Sequence, residues 1–188
     1  MPRAGLGTDA VVAAAADLAD THGFESVTLA RLAAELGVRS PSLYAHVDGL
    51  DDVRRRLGAR GAAELAEALG RAIEGRSGFD ALHAVSHAYR DYARSHPGSY
   101  AASQRSRELQ GDEAAAAASQ AAVRVGLAAL RAYGLADDDA IHAVRMLRVM
   151  LHGFVSLEAE GGFAMAQPPD ETFERLIVLV DAGLRTKR

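Results

Sequence analysis

Apolar side chains recur at helical spacing along most of this chain, and this periodicity constrains its fold more than any other feature. Leu29, Leu32, Ala33 and Leu36 follow the i, i+3, i+4, i+7 pattern, which places apolar groups on one face of a helix. Five prolines interrupt the 188 residues, and the abundant alanine, leucine, arginine and glutamate favour helix by intrinsic propensity. The sequence therefore predicts an all-α protein.

Glycines and a Ser-Pro step divide the N-terminal part of the chain into three predicted helices. Gly23 and Gly37 can take the left-handed conformation that ends a helix, and Ser40-Pro41 is typical of a helix start, with Ser40 as the N-cap. The predicted helices run from Thr8 or Asp9 to about His22, from the N-cap Thr28 to Gly37, and from Pro41 to about Val47. We predict that residues 1–49 form a three-helix helix-turn-helix domain.

Residues 50–188 are predicted to form a C-terminal helical bundle domain, which begins with a linker helix over about residues 50–73. Further predicted helices cover about Asp80–Ser95, Ser99–Glu108, Asp112–Tyr133, a span from an Asp137–Asp139 cap to about Glu160, and a last span capped by Asp170. The helix that ends near Glu160 is apolar on more than one side, so it needs a large core or a partner chain to cover it.

The last two predicted helices indicate a dimer, because together they could form a symmetric four-helix interface. A two-fold dimer requires such an isologous contact, in which the same surface is used by both chains. The predicted interface residues are Ile141, Val144, Leu151, Phe173, Leu176, Ile177, Val180 and Leu184.

The segment from Thr28 to Val47 is the strongest indication of function. Two helices joined by a short turn pack at a steep angle and leave the start of the second helix free to enter a major groove. Its periodicity points Leu43 and Val47 inward and leaves polar groups outside. The residue types alone also allow an alternative, in which these are two ordinary packed helices without a ligand.

Net charge does not support DNA binding by itself. The chain carries a net charge of −4, and its first 60 residues hold seven basic and eight acidic side chains. Nucleic-acid binders often show a basic excess. Any DNA binding must therefore depend on where the cations lie.

A resemblance to a known family gives the segment a more specific interpretation. The run from Leu32 to Val47 reads LAAELGVRSPSLYAHV, which resembles the signature of the tetracycline-repressor-like (TetR) family of bacterial regulators. A weaker resemblance links Leu151-His152-Gly153-Phe154, Glu160-Gly161-Gly162-Phe163 and residues 168–173 to the C-terminal domain of one TetR subgroup. The resemblance implies an all-α homodimer with an N-terminal DNA-binding domain and a C-terminal ligand-binding domain.

Matching positions imply which residues contact DNA. Tyr44 and His46 suit phosphate oxygens, whereas Arg39, Ser42 and Ala45 suit base edges, alanine in particular a thymine methyl group. The full set that the resemblance implies is Thr28, Arg39, Ser40, Pro41, Ser42, Tyr44, Ala45 and His46.

The chain departs from the family pattern at Leu50, where the family usually has a phosphate-contacting lysine. Asp51 and Asp52 follow it. Without this cation, binding to the DNA phosphate backbone is expected to be weaker and less dependent on salt concentration, unless Arg3 or Arg54–Arg56 compensates.

The C-terminal half contains amphipathic side chains that suit a small-molecule pocket. Such sites are mostly apolar with a few polar contacts, although each of these residues could equally fill core. The predicted effector residues are His83, His87, Tyr92, Tyr100, Gln104, Met146, Met150, His152 and Phe154.

A metal site and an enzyme active site are two further alternatives for this chain. Asp80, His83, His87 and Asp91 lie three, four and four residues apart, which suits one helix face, and two histidines four apart can bind zinc or nickel. A solvated stripe is the simpler interpretation, so no metal and no cofactor is assigned. The chain has no cysteine and no glycine-rich phosphate loop, and His152 has no identifiable catalytic partner, so no enzymatic activity is expected.

These observations lead to one expected function. We expect a ligand-responsive repressor that acts as a homodimer on double-stranded operator DNA and releases it when an unidentified small molecule binds. The alternatives are a helical dimeric protein-interaction module and a small enzyme. The first residues lack the apolar stretch of a secretion signal, and no membrane partner is indicated, so we expect the protein to be cytoplasmic.

Overall fold

The computed structural model describes residues 6–105 and 109–186, and every regular element in these ranges is helical. The helices are α1 (Thr8–His22), α2 (Leu29–Glu35), α3 (Ser40–Leu43), α4 (Leu50–Ala72), α5 (Gly78–Ser95), α6 (Pro97–Ser103), α7 (Glu113–Leu130), α8 (Asp137–Ala159) and α9 (Pro169–Arg185). Single 3-10 turns follow α1 and α7, at Phe24–Ser26 and Arg131–Tyr133. The predicted all-α class is confirmed.

The chain divides into two compact units. Unit 1 comprises Met1–Glu64 and Ser95–Ser119, and unit 2 comprises Leu65–Arg94 and Gln120–Arg188. Both α4 and α7 therefore contribute residues to each unit. The predicted boundary between the DNA-binding domain (residues 1–49) and the effector-binding and dimerisation domain (residues 50–188) falls at the start of α4. This functional division of the chain stays a prediction.

The core of unit 1 holds the first four helices together. Val11, Leu32, Leu43, Val53 and Leu57 come from α1, α2, α3 and α4, and each has 0% exposure. Burying one such side chain stabilises a fold by about 1.5–3 kcal/mol. The orientation of the short α3 is therefore set by its neighbours rather than by its own length.

The start of α2 follows the prediction, but α3 does not. The Thr28 Oγ1 atom accepts a hydrogen bond from the Arg31 amide at 3.3 Å, so Thr28 is the N-cap. The predicted Ser40 cap is wrong, since α3 has Arg39 as its N-cap and no side-chain cap. The predicted extension of α3 to Val47 is also wrong: the Leu43 carbonyl oxygen accepts from the amides of both His46 and Val47, at 2.9 and 3.0 Å, which tightens the chain into a turn.

Two other predicted caps are also wrong. Helix α8 has Ala136 as its N-cap and α9 has Pro168, neither with a side-chain cap. The Asp170 carboxylate instead accepts a hydrogen bond from Arg90. The acidic side chains in these first turns still interact favourably with the helix dipole.

Helix α6 lies very close to α1 within unit 1. A Cβ atom added at Gly98 would stand 2.1 Å from the Ala19 carbonyl carbon, and the Asp20 carboxylate accepts from the Ser99 amide at 2.7 Å. This long-range cap explains why the helix begins at Pro97 rather than near Ser99, as predicted. Helix α6 ends at Ser103, while Glu108, the predicted end, lies outside the described residues.

Replacing Gly98 with alanine is expected to lower the free energy of unfolding by about 1–3 kcal/mol, because the new methyl group must push two helix backbones apart. Chemical denaturation followed by circular dichroism measures this loss. The matched control is Gly70→Ala in α4, where the added Cβ would meet only Val125 at 3.8 Å. Equal stability of the Gly98→Ala variant and the wild type would show that α1 and α6 are not tightly apposed.

The core of unit 2 contains the predicted stripe of α5. Leu82, Val85 and Tyr89 are buried there, as predicted from their spacing. Phe173 and Ile177 of α9 each have 0% exposure. Helix α8 adds Leu147 and Leu151, and the parts of α4 and α7 in this unit add Leu65, Leu69 and Leu130.

Helix α8 is unusually exposed for so apolar a segment. By length and composition it could also cross a membrane, although a single helix of this kind is weak evidence for a span, and only 28% of its most apolar 18 residues is buried within the chain. Arg145 and Arg148 lie near its centre, and an arginine at that depth costs about 2.5–3.5 kcal/mol in a lipid-facing helix. Another protein surface is a better match for this helix than a bilayer.

Candidate nucleic-acid interface

The α2–α3 pair is built as a helix-turn-helix. Gly37 takes φ = +66° between the helices, a conformation that a side chain disfavours, and the Val38 amide bonds back to the Ala33 carbonyl at 2.9 Å. Leu32 and Leu43 are fully buried on either side of this turn. The predicted inward positions of Leu43 and Val47 are confirmed.

Most of the predicted DNA contacts lie in α3 and in the turn that follows it. The Tyr44 side chain is 62% exposed, and Arg39 forms no ion pair with the residues that the structure describes. Exposed residues are Arg39, Pro41, Ser42, Tyr44 and Ala45, and partly buried ones are Thr28, Ser40 and His46. All of them lie in α2, α3 or the adjoining turns, so the structure brings the predicted set together on one segment.

Thr8 fixes the end of this segment, a role that sequence reasoning missed. Its hydroxyl donates to the His46 carbonyl oxygen at 2.8 Å, across 38 residues. The start of α1 therefore holds the turn that follows α3. Only a tertiary contact reveals this, because Thr8 alone looks like an ordinary helix start.

The arginines that could replace the missing lysine make contacts within unit 1. The Arg54 guanidinium lies 5.2 Å from the centre of the Phe24 ring and 3.5 Å from Glu25. Arg55 binds Asp112 at 2.9 Å as well as Asp52, and Arg56 binds Asp52 at 2.9 Å. These cations are therefore engaged by the protein's own acids, and Arg3 lies outside the described residues.

Asp52 is the acid that organises this cluster. It is 5% exposed and accepts from the Asp48 amide at 3.1 Å. Burial opposes its ionisation, but the Asp48 amide and the Arg56 and Arg55 guanidinium groups lower the pKa of Asp52 below the usual aspartate value. The departure at Leu50 is thus accompanied by a buried carboxylate that pairs with two partly exposed cations, Arg55 and Arg56.

Comparison with known proteins identifies the family. The family described as "Bacterial regulatory proteins, tetR family" matches residues 11–48, and "Tetracyclin repressor-like, C-terminal domain" matches residues 82–180. An uncharacterized HTH-type transcriptional regulator of Mycobacterium tuberculosis is 36% identical over 97% of this chain and 83% of its own length. The chain belongs to the TetR family of bacterial regulators. The predicted resemblance is confirmed.

Two solved structures share the fold of this TetR-family chain. A protein of unknown function from Rhodococcus sp. RHA1 superposes with a TM-score of 0.82, at 21% identity and with 98% of each chain covered. BioQ, solved with its double-stranded DNA operator, superposes with a TM-score of 0.71 at 26% identity, over 97% of this chain and all of that one. The second is a complex of the same fold with DNA.

The predicted effector residues of the TetR-family chain do not share one environment. Tyr100 and Gln104 belong to unit 1, and the other seven belong to unit 2. Tyr92 and Phe154 are buried, whereas Met146 is 61% exposed and His152 is also exposed. Phe154 packs at 4.8 Å from both the Phe163 and Phe173 ring centres, so it fills core.

Arg90 is a buried cation that sequence reasoning missed. It is 4% exposed, and its guanidinium donates to Glu158 at 3.0 Å and to Asp170 at 2.6 Å while lying 4.8 Å from the Phe173 ring centre. The hydrogen bond to Glu158, opposed by burial and reinforced by Asp170, raises the pKa of Arg90. Arg90 therefore joins α5 to the end of α8 and the start of α9.

His83 and His87 share a carboxylate that helical spacing does not predict. The His83 Nε2 atom lies 3.1 Å from one Glu174 oxygen, and the His87 Nε2 atom lies 2.7 Å from the other. Burial opposes ionisation of Glu174, but hydrogen bonds from both imidazoles lower the pKa of Glu174. The sequence pattern placed Asp80 and Asp91 of α5 beside the two histidines. In the structure, the carboxylate that meets both imidazoles is Glu174 of α9.

The eight predicted dimer residues differ in their exposure within the single chain. Four of the eight are buried within the single chain and are not available to a partner: Leu151, Phe173, Ile177 and Leu184. Ile141, Val144, Leu176 and Val180 are partly buried. The large apolar side chains that α8 and α9 do expose are Met146 (61%), Val149 (72%), Leu157 (50%), Val178 (55%) and Leu179 (68%).

Proposed function

We propose that this TetR-family chain is a ligand-responsive transcriptional repressor, which binds double-stranded operator DNA as a homodimer and releases it when a small molecule binds. The observation that carries the proposal is the exposed outer face of α3 and of the turn after it, where Tyr44 is 62% exposed while Leu43 is fully buried. BioQ, with the same fold, was solved with its DNA operator. Action on chromosomal DNA also implies a cytoplasmic protein.

DNA recognition would use few cations. Arg39 is an exposed cation next to α3, and the neighbouring Arg54, Arg55 and Arg56 of α4 are bound by Glu25, Asp112 and Asp52. Each released counterion adds nearly one to the slope of log affinity against log salt. We therefore expect a shallow salt dependence and affinity that depends strongly on Arg39, Ser42, Tyr44 and Ala45.

Replacing Arg39 with alanine is expected to weaken operator binding by about 1–3 kcal/mol, or roughly 5- to 150-fold, because a base-edge contact of arginine is worth about that much. Gel-shift titration with the promoter region beside the protein's own gene measures the change. Arg124→Ala is the matched control, since Arg124 is an exposed arginine of α7. Unchanged affinity of the Arg39→Ala variant for specific DNA would contradict the assigned interface.

Dimerisation is proposed through the exposed apolar face of α8 and α9, defined by Met146, Val149, Leu157, Val178 and Leu179. On α8 these residues fall at intervals of three and eight, so they share a side of the helix. Gly153 lies in the same stripe, and a Cβ there would meet nothing within 4 Å in this chain. Since no contact within the chain requires a glycine at this position, Gly153 suits the close approach of a helix from a partner chain.

The effector response is proposed for unit 2, where seven of the nine predicted effector residues lie. Tyr92, Met150 and the half-buried His87 combine apolar surface with polar groups, as small-molecule sites do. Binding there would release DNA only if the ligand prefers a conformation with a lower DNA affinity. Adding candidate compounds to the gel-shift assay tests this directly, because an effector restores the mobility of free DNA.

An enzyme and a protein-interaction module are the competing functions. Membership of a regulator family argues against catalysis, and we propose that the protein is not an enzyme. A pure interaction module would have no use for the exposed polar face of α3. The gel-shift assay separates these functions, since neither competitor would retard the promoter fragment specifically.

A further inference from the structure

The geometry points to a transition-metal site in unit 2, formed by His83, His87 and Glu174. We propose that the two Nε2 atoms and the Glu174 carboxylate bind one divalent first-row transition ion, with Zn²⁺ as the ion to test. The three ligand atoms lie within 4.8 Å of one another. Imidazole and carboxylate are ligands that Zn²⁺ accepts, and His₂Glu is a donor set that leaves one position open to water.

The distances are compatible with an ion after a small adjustment. Nε2–oxygen distances of 3.1 and 2.7 Å describe hydrogen bonds, whereas ligands about 2.0–2.1 Å from a tetrahedral ion stand roughly 3.3 Å apart. These two Nε2–oxygen pairs would therefore open by a few tenths of an ångström, while ligand atoms that stand up to 4.8 Å apart would move closer together. Each Nε2 would give up its hydrogen, so the proton would sit on Nδ1 in the neutral imidazole or leave to solvent.

The surrounding residues hold these ligands in place while leaving them accessible. His83 and His87 are one helical turn apart on α5, with ring centres 4.4 Å apart. Phe173, which is fully buried, meets the His87 ring edge-on at 5.4 Å. Side-chain exposures of 40% for His83, 34% for His87 and 47% for Glu174 leave a path for an ion from solvent.

The donor set also indicates which ions fit. Two imidazoles favour zinc, nickel, cobalt or copper over magnesium and calcium, which prefer all-oxygen sites. An ion here would tie α5 to α9. Because α9 also carries Val178 and Leu179, metal binding would affect the proposed dimer face. This consequence rests on the proposed function, whereas the metal site itself does not.

The test is a titration of tag-free, chelator-treated full-length protein with Zn²⁺ by isothermal calorimetry. The expected result is one ion per chain and a raised melting temperature. His87→Asn and Glu174→Gln should each weaken binding by at least about 100-fold, because loss of even an outer-shell partner costs about 10- to 100-fold. His142→Asn is the matched control, since His142 is an exposed histidine of the same unit.

Spectroscopy with Co²⁺ gives a second readout that does not depend on stability. A visible absorption band that appears in wild type and in His142→Asn, and is absent from His87→Asn, supports the site. Circular dichroism verifies that each variant is folded. The proposal is overturned if the wild type takes up no Zn²⁺, if His87→Asn and Glu174→Gln bind it as the wild type does, or if the His142 control loses it. These outcomes leave DNA binding by α3 untouched.

Discussion

Replacing Arg90 with methionine is expected to lower the free energy of unfolding by about 3–5 kcal/mol, the usual result of removing one partner from a buried ion pair. Glu158 would lose the cation that binds it, and the Phe154 and Phe173 rings would lose the guanidinium that lies 5.0 and 4.8 Å from their centres. Methionine fills much of the same volume, so the loss reports on charge and hydrogen bonding. Denaturant unfolding at a fixed protein concentration measures it.

Arg175→Met is the control for this substitution. Arg175 pairs with Glu171 one turn away on α9, but its side chain is 78% exposed, and an exposed pair contributes little to stability. If Arg90→Met were as stable as the control, the buried cluster would not be a net source of stability. If the expected loss is observed, replacing both Arg90 and Glu158 shows whether the carboxylate left without its cation causes it.

Replacing Val149 with glutamate is expected to convert the proposed dimer to monomers and to weaken operator binding by about 10²- to 10⁴-fold, because two linked half-sites gain that much from binding together. Val149 is 72% exposed in the single chain, so the substitution should leave each chain folded. A charge buried without a partner at an apolar interface opposes association. Light scattering measures the mass, and gel shift measures the affinity.

Val123→Glu in α7 is the matched control, an exposed valine of the same unit at 42% exposure. Leu179→Glu on α9 should behave like Val149→Glu, which guards against an effect of one position alone. A Val149→Glu protein that remains dimeric and binds the operator normally would place the interface elsewhere.

Much of the candidate DNA interface could be predicted from sequence, because it lies within one short stretch of chain. Spacing alone pointed Leu43 and Val47 inward and left Tyr44 outside, and burial confirms this arrangement. The end of α3 could not be predicted in the same way. The turn after Leu43 is fixed by the contact of Thr8 with the His46 carbonyl, across 38 residues.

The apolar face of a helix is harder to assign when the helix is apolar on two sides. Periodicity in α8 and α9 identified apolar positions correctly but could not divide them between the protein's own core and a partner chain. Leu151 and Ile177 point into the chain, while Val149 and Leu179 point out of it. Both sides satisfy the same local pattern, so only packing distinguishes them.

By itself, the sequence determined the helical class, the family and the α2–α3 motif, because each depends on residues within a few turns of one another. The tertiary structure decided which distant side chains meet: Glu174 with His83 and His87, and Arg90 with Glu158 and Asp170. The partners in these clusters are separated by 68 to 91 residues. Helical spacing cannot predict contacts between residues so far apart in sequence. These contacts form because α5 packs against α8 and α9.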